Sequence, residues 1–182
     1  MGQIKIISGF HRSRVIKFSD GISGLRPTPN IMRERLFNWL EQDLTGKKCL
    51  DLFAGSGALG FEAISRNAAA VNMVEVERNA IKDLIANKTL LKADNLVIVN
   101  YPALKYLEST HDKFDIIFID PPYESDLLVK SLSMLKKRRS SILNNGAMIY
   151  IEYHEKPDLG DWEIIKESKS GFVNAALIRA NI

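Results

Sequence analysis

The chain is 182 residues long, 46% hydrophobic and 26% charged, with 25 basic against 22 acidic residues for a net charge of +3. That is enough chain for one substantial core and too little for two typical domains, and no apolar stretch approaches the roughly 20 residues needed to cross a bilayer. A single cysteine excludes an intrachain disulfide, and three scattered histidines, His11, His111 and His154, give no metal-ligand spacing, so no metal is expected.

Cys49 lies in an apolar run and reads as a buried thiol in a reducing compartment; with no signal-peptide pattern at the N-terminus, a cytoplasmic location is expected. Charge is unevenly placed. From Met1 to Arg35, seven basic residues (Lys5, Arg12, Arg14, Lys17, Arg26, Arg33 and Arg35) stand against two acidic ones, Asp20 and Glu34, a local charge of +5 that leaves the rest slightly acidic. Positive charge gathered ahead of a core reads as an arm that contacts phosphates, with Arg12, Arg14, Arg26 and Arg33 as the candidate contacts. An ordinary solvated surface is the plainer alternative.

Ile4 to Ile7 and Val15 to Phe18 flank a basic turn and predict a small hairpin. Thr28 then stands where it can cap a helix with Pro29 in its first turn and with Ile31, Leu36 and Leu40 on one apolar face. After Gly46, strand-like runs alternate with helical patterns. Lys48 to Phe53, Val71 to Glu75, Leu96 to Val99, Phe114 to Ile119 and Ala147 to Glu152 read as strands; Ala58 to Arg66, Asn79 to Leu91, a short stretch near Leu104 and Asp126 to Leu143 read as helices. The pattern predicts an α/β fold, a doubly wound and mostly parallel seven-stranded sheet covered on both faces. Its end differs, because Trp162 to Glu167 and Val173 to Arg179 flank a short polar turn with no helix between them, the mark of an antiparallel hairpin. Residues 1–45 therefore read as a hairpin-and-helix extension and 46–182 as the catalytic domain.

The first strand of that domain runs into Asp51-Leu52-Phe53-Ala54-Gly55-Ser56-Gly57-Ala58-Leu59-Gly60, a G-x-G-x-x-G spacing between strand and helix. Eighteen residues past Gly57, Glu75 ends the second strand, where a carboxylate can accept from both hydroxyls of a ribose. Together these announce an adenosine-containing cofactor. Asp51 favours S-adenosylmethionine over a dinucleotide, because a carboxylate there repels a pyrophosphate and attracts the methionine ammonium. The expected cofactor residues are Asp51, Phe53, Ala54, Gly55, Ser56, Gly57 and Glu75.

Asp120-Pro121-Pro122-Tyr123 follows the fourth strand, at the carboxyl edge that lines the ligand crevice of open parallel sheets. An exocyclic amine of a nucleic-acid base is a poor nucleophile, since its lone pair is delocalised into the ring. Acceptors set against its N–H groups, here the Asp120 side chain and the Pro121 carbonyl, favour a pyramidal nitrogen with its lone pair free to attack. Proline has no N–H, so the turn presents acceptors more than donors. Tyr123 offers a face for base stacking, worth roughly 1 to 3 kcal/mol in comparable contacts.

These residues resemble the bacterial 16S ribosomal RNA guanine-N2 methyltransferases of the RsmD type. The resemblance spans nearly the whole chain: Ile7-Ser8-Gly9 with Arg12 and Arg14, Leu25-Arg26-Pro27-Thr28, Arg33-Glu34, Leu36-Phe37-Asn38-Trp39-Leu40, the Asp51 to Leu59 loop, Asp120 to Tyr123, and Ile149-Tyr150-Ile151-Glu152. It implies the class I methyltransferase fold, S-adenosylmethionine as cofactor, and 16S rRNA or a small-subunit ribosomal particle as partner. It also implies that Asp120 and Tyr123 meet the target guanine, with Gly55, Gly57 and Glu75 around the cofactor, and the candidate catalytic residues are Asp120, Pro121, Pro122 and Tyr123. Asp-Pro-Pro-Tyr alone also occurs in adenine-N6 and glutamine methyltransferases, whereas the Arg-Pro-Thr segment before a Leu-Phe-Asn helix is more particular to this family. One departure stands out: where relatives carry Asp or Asn after the third strand, this chain has Asn100-Tyr101-Pro102-Ala103 with Pro102 at that position, which leaves adenine recognition to the backbone or to Asn100.

Two other classes compete. A nicotinamide oxidoreductase would explain the glycine loop and Glu75 but not Asp120 to Tyr123; a noncatalytic RNA-binding assembly factor would explain the basic arm but not the intact acceptor turn. Lys136-Lys137-Arg138-Arg139 ends a long predicted helix and reads as dipole-compensating surface charge ahead of an RNA contact. A monomer is expected.

Overall fold

The computed structural model describes residues 1–19, 28–122 and 125–180. A two-stranded ribbon, β1 (Gly2–Lys5) and β2 (Val15–Phe18), precedes α1 (Asn30–Trp39). The alternating region follows as β3 (Lys48–Asp51), α2 (Ala58–Ser65), β4 (Ala70–Glu75), α3 (Arg78–Leu91), β5 (Leu96–Asn100), α4 (Ala103–Ser109) and β6 (Phe114–Ile119). It ends with α5 (Leu127–Lys137), α6 (Arg139–Ile142), β7 (Leu143–Tyr153), β8 (Trp162–Ser170) and β9 (Val173–Ala180). The seven-stranded sheet has the order β5-β4-β3-β6-β7-β9-β8, parallel from β5 to β7, with β9 inserted antiparallel between β7 and β8.

Period-two alternation on buried strands sorts the core into two layers. Cys49, Val71, Met73, Ile116, Phe118, Tyr150 and Leu177 belong to a cluster that includes Ile4, Ile16, Leu36 and Phe37 from the N-terminal segment. Leu50, Leu52, Val74, Ile117, Ile119, Ile149 and Ile178 face the opposite cluster, with Leu128, Leu132 and Leu135 of α5. The spacing of those three leucines with buried Ser131 gives α5 a single apolar stripe. The N-terminal ribbon and α1 thus share one core with the sheet.

Three local expectations are corrected. Pro29, not Thr28, is the N-cap of α1, with Met32 and Arg33 amides bonding its carbonyl, and Thr28 makes no capping bond. β1 covers Gly2–Lys5, its last pair being Lys5 with Val15, and beyond the turn-closing bonds of Ile6 the Ile7 and Ser8 amides bond Glu62 at 2.9 and 3.0 Å instead of a strand. The single helix expected from Asp126 to Leu143 stops at Lys137; α6 follows, and Leu143 already pairs with Phe114 in the sheet.

Candidate active site

Order reverses at β3, which has β4 on one side and β6 on the other, and ligands of open α/β sheets bind where such neighbours diverge. The chain leaves β3 through a tight turn in which Gly55 and Gly57 adopt φ of 52° and 80°, a left-handed region that side-chain-bearing residues seldom take. Ala54 and Ser56 are buried and Phe53 is half-buried in this turn. Gly60 lets α2 lie on β4, since a Cβ there would stand 2.3 Å from Met73 Cε.

Glu75, at the end of β4, is built into the same turn. Its Oε2 accepts from the Gly55 amide at 2.8 Å, and its Oε1 from the Val76 and Glu77 amides at 2.8 and 2.9 Å. The carboxylate is therefore held by three backbone donors before any ligand arrives. Asn100 ends β5 directly beside it, as its partner in the parallel register, and is exposed. Asp51, 3% exposed at the end of β3, accepts from the Gly60 amide at 3.1 Å. Burial pushes its carboxyl up to about 7, helped by the neighbouring charge of Glu75 and opposed by the Gly60 hydrogen bond. Two carboxylates thus bracket the glycine turn, an arrangement suited to a ligand carrying a cation at one end and hydroxyl donors at the other.

Asp120 lies just past β6. Asp51, Phe118 and Tyr150 share a row across β3, β6 and β7, so alternation points Asp51, Asp120 and Glu152 to the same face of the sheet. Thr28, one residue ahead of the Pro29 N-cap of α1, donates its hydroxyl to Asp120 Oδ2 at 3.3 Å. Desolvation holds the Asp120 carboxyl well above the usual aspartate range, reinforced by the neighbouring acids Glu152 and Asp51, with which it competes for charge, and opposed by the Thr28 hydrogen bond. Pro121 is buried and Pro122 exposed, its carbonyl accepting from Ser125 Oγ at 2.6 Å. Tyr123 and Arg26 lie outside the described residues. Thr28 and Glu152 were not picked out as site residues by sequence reasoning, although each stood in a motif that carried the family resemblance.

The predicted phosphate contacts divide. Arg33 is 1% exposed; its guanidinium meets Glu62 Oε2 at 3.4 Å, the Lys5 carbonyl at 3.1 Å and Asn30 Oδ1 at 2.5 Å. It belongs to the interior and is withdrawn as a phosphate contact, because its helix turns this face, with Met32, Leu36 and Phe37, toward the sheet. Glu62, 0% exposed, also binds Arg66 at 3.0 Å, so one buried carboxylate between two arginines fastens the N-terminal segment to α2. Arg12 and Arg14 are exposed, in a turn anchored by Phe10 and His11 amides to Ser65, the last residue of α2. Gly57, at the other end of that helix, is about 12 Å away along its axis. Of the basic run ending α5, Lys136 pairs with Asp161 at 2.6 Å, and Arg138 bonds the Leu107 and Thr110 carbonyls that close α4.

Comparison with known proteins agrees with this architecture. The chain is 39% identical over 176 residues to ribosomal RNA small subunit methyltransferase D of Escherichia coli K12, covering 94% of this chain and 87% of that protein. The solved structure of the E. coli protein yhhF matches with a TM-score of 0.87 and 39% identity over 98% of this chain and 99% of that one. An RNA methyltransferase of Salinibacter ruber, solved with S-adenosyl-L-homocysteine, shares the fold at a TM-score of 0.65 and 15% identity, over 84% of this chain and 92% of that one. The fold is that of class I methyltransferases. With the family model described as Conserved hypothetical protein 95 matching residues 4–179, the chain belongs to that family, the one of the small-subunit ribosomal RNA methyltransferase D proteins.

Proposed function

We propose that the protein transfers a methyl group from S-adenosylmethionine to the exocyclic N2 amine of a guanine in 16S ribosomal RNA, within an assembling small subunit. The observation that carries this reading is Asp120, an acid held by the Thr28 hydroxyl at the carboxyl edge of β6 and followed by two prolines that present acceptors. Family membership supplies the substrate class, since the relatives are named for methylating small-subunit ribosomal RNA.

The residues around the glycine turn fit S-adenosylmethionine. Asp51 is placed to face the methionine ammonium, which would hold its carboxyl ionised despite burial. Glu75, already oriented by three amides, keeps lone-pair capacity for ribose hydroxyls. Phe53, Ala54, Gly55, Ser56 and Gly57 wall the cofactor, and Asn100 is the candidate for the adenine edge. The cofactor supplies a methyl group on a cationic sulfur that leaves with the bonding electron pair as the nitrogen–carbon bond forms. Asp120 and the Pro121 carbonyl accept from the amine N–H groups and hold its lone pair toward the reaction, and Asp120 takes the proton the nitrogen sheds. Positioning of this kind accounts for much of the rate gain in two-substrate reactions. Tyr123 stacks on the base, while Arg12, Arg14 and Arg26 contact phosphates away from the reacting atoms.

The test is transfer of radiolabelled methyl from S-adenosylmethionine to undermethylated small-subunit particles, followed by nucleoside analysis. Label in N2-methylguanosine that disappears with Asp120→Ala is the expected result. Label in N6-methyladenosine would overturn the base assignment, and no label in RNA would overturn the reaction.

A further inference from the structure

Glu152 is the penultimate residue of β7, in the motif Ile149-Tyr150-Ile151-Glu152, and the chemistry derived so far gives it no task. Ile119 pairs with Ile151, so continuing the register one residue places Glu152 in the row of Asp120, on the adjacent strand about 4.8 Å away in backbone spacing. Glu152 is 2% exposed. The Tyr150 hydroxyl donates to its Oε1 at 2.8 Å, while its Oε2 has no hydrogen-bond partner among the described residues. A bare buried carboxylate oxygen costs several kcal/mol, so its presence calls for a proton or a ligand.

The surroundings decide between these. Across β9, Glu152 pairs with Ala175, which brings a methyl group and no charge. From β3 comes Asp51, and from the turn after β6 Asp120, both acids. Among the described residues the Tyr150 and Thr28 hydroxyls complete the polar neighbours, and no cation figures among the groups acting on either carboxyl. Two anions side by side in such a place are strongly disfavoured, and the pair retains a proton. Hydroxyls act on both carboxyls, Thr28 on Asp120 and Glu152 and Tyr150 on Glu152, so exposure separates the pair: Asp120 is half-buried at the carboxyl edge of the sheet, whereas Glu152 is 2% exposed with no partner at hydrogen-bond distance from Oε2 among the described residues. The charge therefore belongs on Asp120.

We propose that Glu152 is a positioning residue that works in its protonated form: a buried carboxylic acid that leaves the single charge of the pair on Asp120, where the amine of the acceptor base docks. The inference rests on the methyltransferase reading above. In the step it serves, the nitrogen gives its proton to the Asp120 carboxylate, so a cationic nitrogen and an anionic acid both become neutral, and Glu152 keeps its own proton throughout.

Two measurements test it. Carboxyl carbon-13 NMR of the protein without ligands follows Asp120 and Glu152 through a pH titration. In the wild type both signals are expected to move in common steps; in Glu152→Gln the step shared with Glu152 is expected to vanish from the Asp120 signal, which finishes its own titration at lower pH. Independent single-step titrations in the wild type overturn the proposal, with no variant required. The second measurement is the pH dependence of kcat for methyl transfer to undermethylated particles. Glutamine mimics the neutral acid, so Glu152→Gln is expected to keep kcat within about threefold and to abolish the alkaline decline of the wild type, whereas Glu152→Leu loses about tenfold or more in kcat with KM little changed, one hydrogen-bond's worth of stabilisation. Equal losses in both variants at matched folded fractions mean a merely structural role and overturn the proposal. A wild type that titrates as a coupled pair but methylates no RNA contradicts the reaction assigned above, and the transfer role of Glu152 with it, while the paired acids stand.

Discussion

The hydroxyl of Thr28 donates to Oδ2 of Asp120 at 3.3 Å, joining the residue ahead of α1 to the turn that follows β6, 92 positions later in the chain. The N-terminal segment is thereby tied to the carboxyl edge of the sheet, where the proposed acceptor site lies. Thr28→Val, which keeps the shape and removes the donor, is expected to lower kcat by roughly tenfold, the value of one hydrogen bond to a charged group. Cofactor affinity and thermal midpoint should stay near the wild type. A fall in cofactor affinity equal to that in kcat would contradict this placement.

Glu62 of α2 fastens the N-terminal segment onto the sheet's helix layer. It accepts from the Ile7 and Ser8 amides and faces both Arg33 and Arg66. Glu62→Gln leaves two buried guanidinium groups without a counterion, a change expected to cost about 3 to 5 kcal/mol. For a chain of this size that is a drop of roughly 10 °C in Tm. Denaturant unfolding reads the same loss; a midpoint unchanged within error would show the network to be idle.

The Asp51 carboxyl is pushed up to about 7 by burial. A raised value in the fold means that the neutral acid is the form burial favours, so its contribution to stability is complete below about pH 4 and lost as pH rises through about 7. Asp51→Asn keeps an acceptor for the Gly60 amide and cannot ionise. Without cofactor it is expected to be more stable than wild type above pH 7, by at most about 4 kcal/mol, and to converge with it near pH 4. Calorimetric melts across that range decide the matter. The same variant should bind S-adenosylmethionine more weakly.

Glu75 spends three hydrogen bonds on the backbone around the glycine turn. Glu75→Gln retains one acceptor oxygen and loses the charge, so titration calorimetry is expected to show S-adenosylmethionine binding weakened about tenfold, some 1.4 kcal/mol. Affinity for RNA should not change. Wild-type cofactor affinity in this variant would remove Glu75 from the site.

Arg12 and Arg14 are exposed at the far end of α2 from Gly57. If they meet phosphates, Arg12→Ala/Arg14→Ala reduces the slope of log affinity against log salt by about 0.7 to 0.9 per lost contact while cofactor binding holds. Filter binding across a salt series measures this. An unchanged slope would leave the two arginines as solvated surface. Arg33→Met, by contrast, is expected to act on stability and not on the salt slope, because its guanidinium is buried against Glu62.

Strand and helix patterns, the glycine turn, Glu75 at the end of β4 and the placing of Asp120 at the end of β6 were legible in the sequence because each is local: alternation, a spacing, a strand end. The helix expected to run to Leu143 failed for a nonlocal reason, since Leu143 pairs with Phe114 and joins the sheet. Thr28 looked like a cap because capping is the commonest use of threonine before a helix. Asp120, 92 residues away, competes for the same hydroxyl, and the fold decides in its favour.

The sequence by itself determined the class of fold and the chemical types gathered at its carboxyl edge, because periodicity and turn residues act over a few positions. Tertiary structure alone decided which charges are free. Arg33 and Arg12 are indistinguishable in a count of basic residues, yet one faces Glu62 inside the protein and the other faces water. Glu152 and Asp120 lie in different elements, and only the parallel register of β6 with β7 sets them side by side, where burial makes two acids share their charge.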